Sequence, residues 1–90
     1  MSATAETADT LPDELELPLR KPVEHAGMTY THLKLKEPTA AQWAEWDGKK
    51  GVDADITAIS VVGGIPSQAV AKIGARDIII ASRFIARFLD

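Results

Sequence analysis

Two segments decide the fold: Leu15-Glu16-Leu17-Pro18-Leu19-Arg20 and Met28-Thr29-Tyr30-Thr31-His32-Leu33-Lys34-Leu35-Lys36. In the first, Leu15, Leu17 and Leu19 alternate with Glu16, Pro18 and Arg20, the period of a half-buried strand. Pro18 and Pro22 offer no backbone N–H, so this strand lies at an edge or pairs on one side only. Between the segments, Glu24-His25-Ala26-Gly27 reads as a turn in which Gly27 can take positive φ. The second segment predicts a strand over Met28–Lys36 whose phase changes midway. Met28 and Tyr30 share one face, Leu33 and Leu35 the other, and a bulge or strong twist near Thr31-His32 reconciles them. The pair is a β-hairpin.

Working outward, the chain turns helical. Thr39 with Gln42 three residues on forms a capping-box pattern, which opens a short helix over about 40–47 that Gly48 ends. Lys49-Lys50-Gly51 is a loop, and Asp53 or Asp55 caps a helix over about 54–62 in which Ile56, Ile59 and Val62 share a face. Gly63-Gly64 stops it. A short helical turn follows from Ser67, as N-cap, to Ile73, and the last helix spans about 75–89. A hairpin followed by three to four helices is an α+β layout. Upstream, residues 1–14 carry Glu6, Asp9, Asp13 and Glu14 and no base, and no apolar periodicity starts before Leu11. They read as a disordered acidic leader to a single domain over 15–90.

Charge and composition narrow the function. The leader holds four acids, while residues 15–90 hold nine acids and ten bases, so the domain itself is close to neutral. Near-neutrality speaks against a partner recognised through phosphate charge, and the reading is of no nucleic-acid partner. No apolar run approaches the ~18–20 residues that span a bilayer, and the first residues lack the charged and apolar regions of a signal peptide. These features predict a cytoplasmic protein with no membrane partner. With no cysteine, disulfides, thiolate metal sites and thiol nucleophiles are excluded. A domain this small and unstapled predicts reliance on a partner.

Catalysis requires a nucleophile, base or metal held at short range. The two histidines, His25 in the turn and His32 in a strand, stand apart from any metal-ligand or catalytic spacing. Gly63-Gly64 lacks the flanking strand and the Lys-Ser/Thr of a phosphate loop. The chain therefore reads as no enzyme, with no cofactor and no metal. Two apolar features remain as candidate protein-binding sites. Trp43 and Trp46 lie three apart on a short helix, either as core over the hairpin or as contacts for a partner. In the last helix, spacing residues by 100° places Ile80, Phe84, Phe88, Ala81, Ile85, Ile78 and Leu89 on an arc of roughly 180°. A surface helix needs a stripe of only about 100°. The surplus marks Ile80, Phe84, Ile85, Phe88 and Leu89 as contacts for a second copy or another protein, or as the central helix of the fold. Ile59-Ser60, Gly64-Ile65-Pro66-Ser67 and Val70 also mimic a helix-turn-helix, but its second helix holds one base, Lys72, too few for a DNA reader.

Leu17-Pro18-Leu19-Arg20-Lys21-Pro22-Val23, then Gly27, then Leu33-Lys34-Leu35-Lys36-Glu37-Pro38-Thr39-Ala40, resembles the opening of the phage tail assembly chaperones of Mu-like, contractile-tailed phages and prophages. The apolar helix 56–62 followed by Gly64-Ile65-Pro66, the polar pair Arg76-Asp77, and the Phe88-Leu89 ending are similar to that family too. The resemblance covers residues 16–90. Gly74-Ala75, where members more often read Leu-Asp, and the loose Gly48-Lys49-Lys50-Gly51 depart from it. The resemblance implies a chaperone that binds the tape measure protein and keeps it soluble until the tail tube protein polymerises around it. It implies action in the host bacterial cytoplasm and absence from the mature virion. The alternatives are a small helix-turn-helix-like DNA-binding regulator and a structural tail or baseplate subunit.

Overall fold

A computed structural model describes residues 13–89. Two antiparallel strands, β1 (Glu14–His25) and β2 (Met28–Lys36), are followed by four helices: α1 (Ala40–Ala44), α2 (Gly51–Gly63), α3 (Ser67–Val70) and α4 (Ala75–Arg87). This is the α+β arrangement, hairpin first, that the period-two leucines and the later helical spacing predict. Of the leader read over residues 1–14, residues 1–12 lie outside the described residues, and Glu14 is the first residue of β1, where it pairs with Lys36.

The hairpin register places Leu15 opposite Leu35 and Leu17 opposite Leu33. Leu33 and Leu35 are fully buried against the helices, and Leu15 and Leu17 pack at the margin of that core. On the other face Glu14 stands opposite Lys36 and Glu16 opposite Lys34, so the solvent side alternates sign across the strands. His32 also bridges two neighbours: its Nε2 lies 3.0 Å from Glu16 Oε2 and its Nδ1 lies 3.0 Å from the Thr31 hydroxyl.

The register breaks between Pro18 and Val23, opposite the span from His32 to Tyr30. The break falls near Thr31-His32 as the phase change demands, but the extra residues belong to β1: the segment 19–22 faces Thr31 alone. Two prolines that cannot donate to a ladder explain why the surplus sits on β1. With that slack, Val23 pairs with Tyr30 and both reach the core that Leu33 and Leu35 enter from the other phase.

The helices correct the sequence reading at their ends. α1 stops at Ala44 instead of Asp47, because Glu45 and Trp46 donate to carbonyls three residues back and the turn tightens toward Gly48. Its start is as predicted. Gln42 N–H donates to Thr39 Oγ1 at 3.1 Å and Thr39 N–H donates to Gln42 Oε1 at 2.9 Å. α2 begins at Gly51, three residues before the predicted start, with Lys50 at the N-cap and no side-chain cap. Asp53 lies inside the first turn, where a carboxylate meets the positive helix end. Gly64 closes α2 at φ 69°, its N–H donating to Ser60 O. Ser67 does not cap α3, since Pro66 holds that position, and α3 is only four residues long. A four-residue helix with Ala69 and Val70 buried is too short to serve as the second helix of a helix-turn-helix. α4 ends at Arg87, before Phe88-Leu89.

α2 packs on α3, α4 and β2, and α4 crosses both strands. The helices therefore cover one face of the hairpin, and Leu33, Leu35, Ile59, Val70 and Ile85 form the fully buried centre between the layers.

Candidate protein-binding surface

α4 is held against the hairpin by one polar contact inside an apolar seam. Asp77, 3% exposed, is the only buried charged residue among those described. Its Oδ2 accepts the Arg20 backbone N–H at 2.9 Å, and the Arg20 guanidinium lies 3.7 Å from Oδ1. Arg20 sits in the surplus segment of β1, where the ladder leaves its N–H without a strand partner, so Asp77 ties the irregular strand to the first turn of α4. Nothing in the spacing of charges marks this pair, 57 positions apart in the chain. Lys72 makes a similar tie after α3, donating to Glu24 O at 3.0 Å and to His25 Nδ1 at 3.3 Å.

The apolar arc of α4 is wider than the seam it fills. Asp77, Ile78, Ala81, Phe84 and Ile85 are buried and subtend about 120° of the helix. Ile80 lies on one flank of that sector and is 42% exposed; Leu89, just past the helix, lies on the other and is 37% exposed. Phe88 is half-buried and stacks edge-to-face on Phe84, with ring centroids 5.2 Å apart. Of the five apolar candidates around α4, Phe84 and Ile85 are thus core, and Ile80, Phe88 and Leu89 reach the surface. The two tryptophans divide likewise. Trp46 is buried in the core, whereas Trp43, one turn earlier, is 42% exposed.

Two apolar grooves run along the margins of α4. One, of 310 Å³, has Leu15, Ile80 and Phe84 as its walls and Arg83 and Arg87 at its rim. The other, of 420 Å³, lies between the start of α2, the end of α3 and the start of α4, with Val52, Ile56, Ile73 and Ile79 among its lining. The sequence reading missed the second groove. It began the second helix at about residue 54, past Val52, and left Ile79 outside the apolar arc of the last helix. Two uncharged β-branched residues just before and after predicted helix starts were the available signal. Among the described residues no group of three or more His, Asp or Glu side chains could hold a metal ion, and no helix is long and apolar enough to cross a membrane.

No curated protein and no solved structure matches this chain. A family model does, over residues 16–90, from the third residue of β1 through α4; its description is "Phage tail assembly chaperone proteins, E, or 41 or 14".

Proposed function

Because the chain belongs to the phage tail assembly chaperone proteins, we propose that it binds the tape measure protein of its phage or prophage and keeps it soluble until the tail tube protein polymerises. The family match, spanning five-sixths of the chain, carries this reading. In the same proposal the protein acts in the host cytoplasm without catalysis and is absent from the finished virion.

The surface chemistry supports a partner that is an apolar helix. Masking such a helix takes exposed apolar side chains on a folded support and needs neither cofactor nor catalytic group. Trp43, Ile80, Phe88 and Leu89 supply those side chains. Phe84 and Ile85 support them from beneath, so a charge at either position tests the core and not the interface. A second copy of the chain is the other partner that these exposed residues fit.

Co-expression with the tape measure protein tests the reading. Wild type is expected to raise the soluble yield of the tape measure protein and to co-purify with it. Ile80→Asp combined with Leu89→Asp is expected to lower capture about tenfold, the loss typical of one or two interface hot spots. Unchanged capture by that double variant removes these residues from the surface. Absence of any co-purification with wild type rejects the partner. Mass analysis of purified particles is expected to lack the protein, and its presence there would instead indicate a structural subunit.

A further inference from the structure

The groove between the start of α2, the end of α3 and the start of α4 has no role in the proposed function, and charges of opposite sign border it. Its volume is 420 Å³, and two of its apolar side chains, Val52 and Ile79, are 65% and 48% exposed. α2 contributes acids only: Asp55 lines the groove, and Asp53 stands three residues before Ile56, which lines it too. α4 contributes bases. Arg76 and Arg83 are exposed, three residues before and four after Ile79, the spacing of neighbours on a helix surface. Both also line clefts on the β1 side of α4, so they stand on the shoulder of the helix beyond Ile79. The one acid within α4, Asp77, is buried against Arg20. None of Asp53, Asp55, Arg76 and Arg83 makes an ion pair among the described residues.

Charge selects the occupant. A single helix docking here would need bases along one side and acids along the other. A second copy of the chain carries both already. In a two-fold contact the same patch meets itself, so the acidic border of each copy meets the basic border of the other, twice over. Residues 15–90 hold nine acids and ten bases, so no sizeable net charge of the domain opposes the approach of two copies. We propose that two copies of this chain associate through this groove, with Val52 and Ile79 of each covering the other's groove and with Asp53 and Asp55 of each facing Arg76 and Arg83 of the other. Removing Val52 and Ile79 of both copies from water supplies an apolar drive that folding of one chain leaves unused. The association does not rest on the proposed function, since it involves no other protein.

Sedimentation and light scattering on the full chain alone, over rising concentration, test the association. The mass is expected to rise from that of one chain to a plateau at two. Asp53→Lys with Asp55→Lys is expected to weaken self-association at least about tenfold, because each exposed ion pair counts about two- to fivefold and the symmetry repeats it. Arg76→Glu with Arg83→Glu is expected to do the same. An equal mixture of the two variants is expected to regain wild-type association, since acid again meets base at every border. A single chain at every concentration overturns the proposal, as does a mass that climbs past two copies without a plateau. So does self-association that survives both variants, or a mixture that fails to restore it. Should the α2 variant lose the wild-type unfolding midpoint, the α4 variant alone must weaken the association, and its failure to do so overturns the proposal. If the protein stays a single chain while Val52→Asp with Ile79→Asp lowers capture of the tape measure protein, the groove belongs to that partner and the proposal falls.

Discussion

Ala26 sits at φ 50° and Gly27 at φ 81°, the two central positions of a two-residue hairpin turn closed by the His25–Met28 pair. Positive φ at both positions is the hallmark of a type I′ turn, whose twist matches the strands it joins. Gly27 announces this in the sequence. Ala26 does not, because an L-residue with a Cβ is disfavoured there by about 1–2 kcal/mol, and the strand pairing overrides that preference. Ala26→Asn, which supplies the Asn-Gly pair such turns favour, is expected to stabilise the protein by about 0.5–1 kcal/mol in urea unfolding. A loss of stability would refute the turn assignment. Thr39 behaves as its residue type predicts, accepting from Gln42 N–H at the start of α1. Thr39→Ala is expected to cost about 1 kcal/mol, and Thr39→Ser much less, by the same measurement.

At the scale of elements, α4 is positioned by one buried carboxylate and a stripe of apolar side chains. Asp77→Ala leaves the Arg20 N–H without its acceptor in a part-buried site. The expected cost is about 1–3 kcal/mol. Asp77→Asn retains an oxygen in the same place and is expected to lose less. If both variants unfold at the wild-type denaturant midpoint, Asp77 does not hold β1 to α4. Along α4 itself, burial separates neighbours that the sequence treats alike. Phe84→Ala, in the core, is expected to cost about 3–5 kcal/mol. Ile80→Ala, at the surface, is expected to stay within about 0.5 kcal/mol of wild type. The 100° spacing identified both as one apolar arc. Which part of that arc meets β1 and β2 depended on how far the helix rotates toward Asp77 and Arg20, and no local pattern encodes that rotation.

For the whole molecule, the small number of elements limits how much apolar surface can be covered. One face of the hairpin and one side of each helix pair are enclosed, and Trp43, Val52, Ile79, Ile80 and Leu89 remain outside. Ile80→Asp with Leu89→Asp is accordingly expected to keep the wild-type unfolding midpoint within about 0.5 kcal/mol while losing capture of the tape measure protein. A large stability loss in that variant would show that these side chains belong to the core. The hairpin-first order and four helices were legible because period-two leucines, a capping box and Gly64 are local signals. The same holds for family membership, which the match over residues 16–90 shows from sequence alone.

The sequence by itself determined the α+β layout, the capping box of α1, the glycine stop of α2 and the apolar character of α4, since each follows from the conformational preferences of residues within a few positions of one another. Tertiary structure alone decided that Trp46, Phe84 and Ile85 are core while Trp43, Ile80 and Leu89 face outward. It alone brought Arg20 to Asp77, and Leu15 to the side of Arg83 and Arg87. An apolar side chain carries the same preference for leaving water wherever it sits. Only the packing of distant segments against it determines whether this chain or a partner provides its cover.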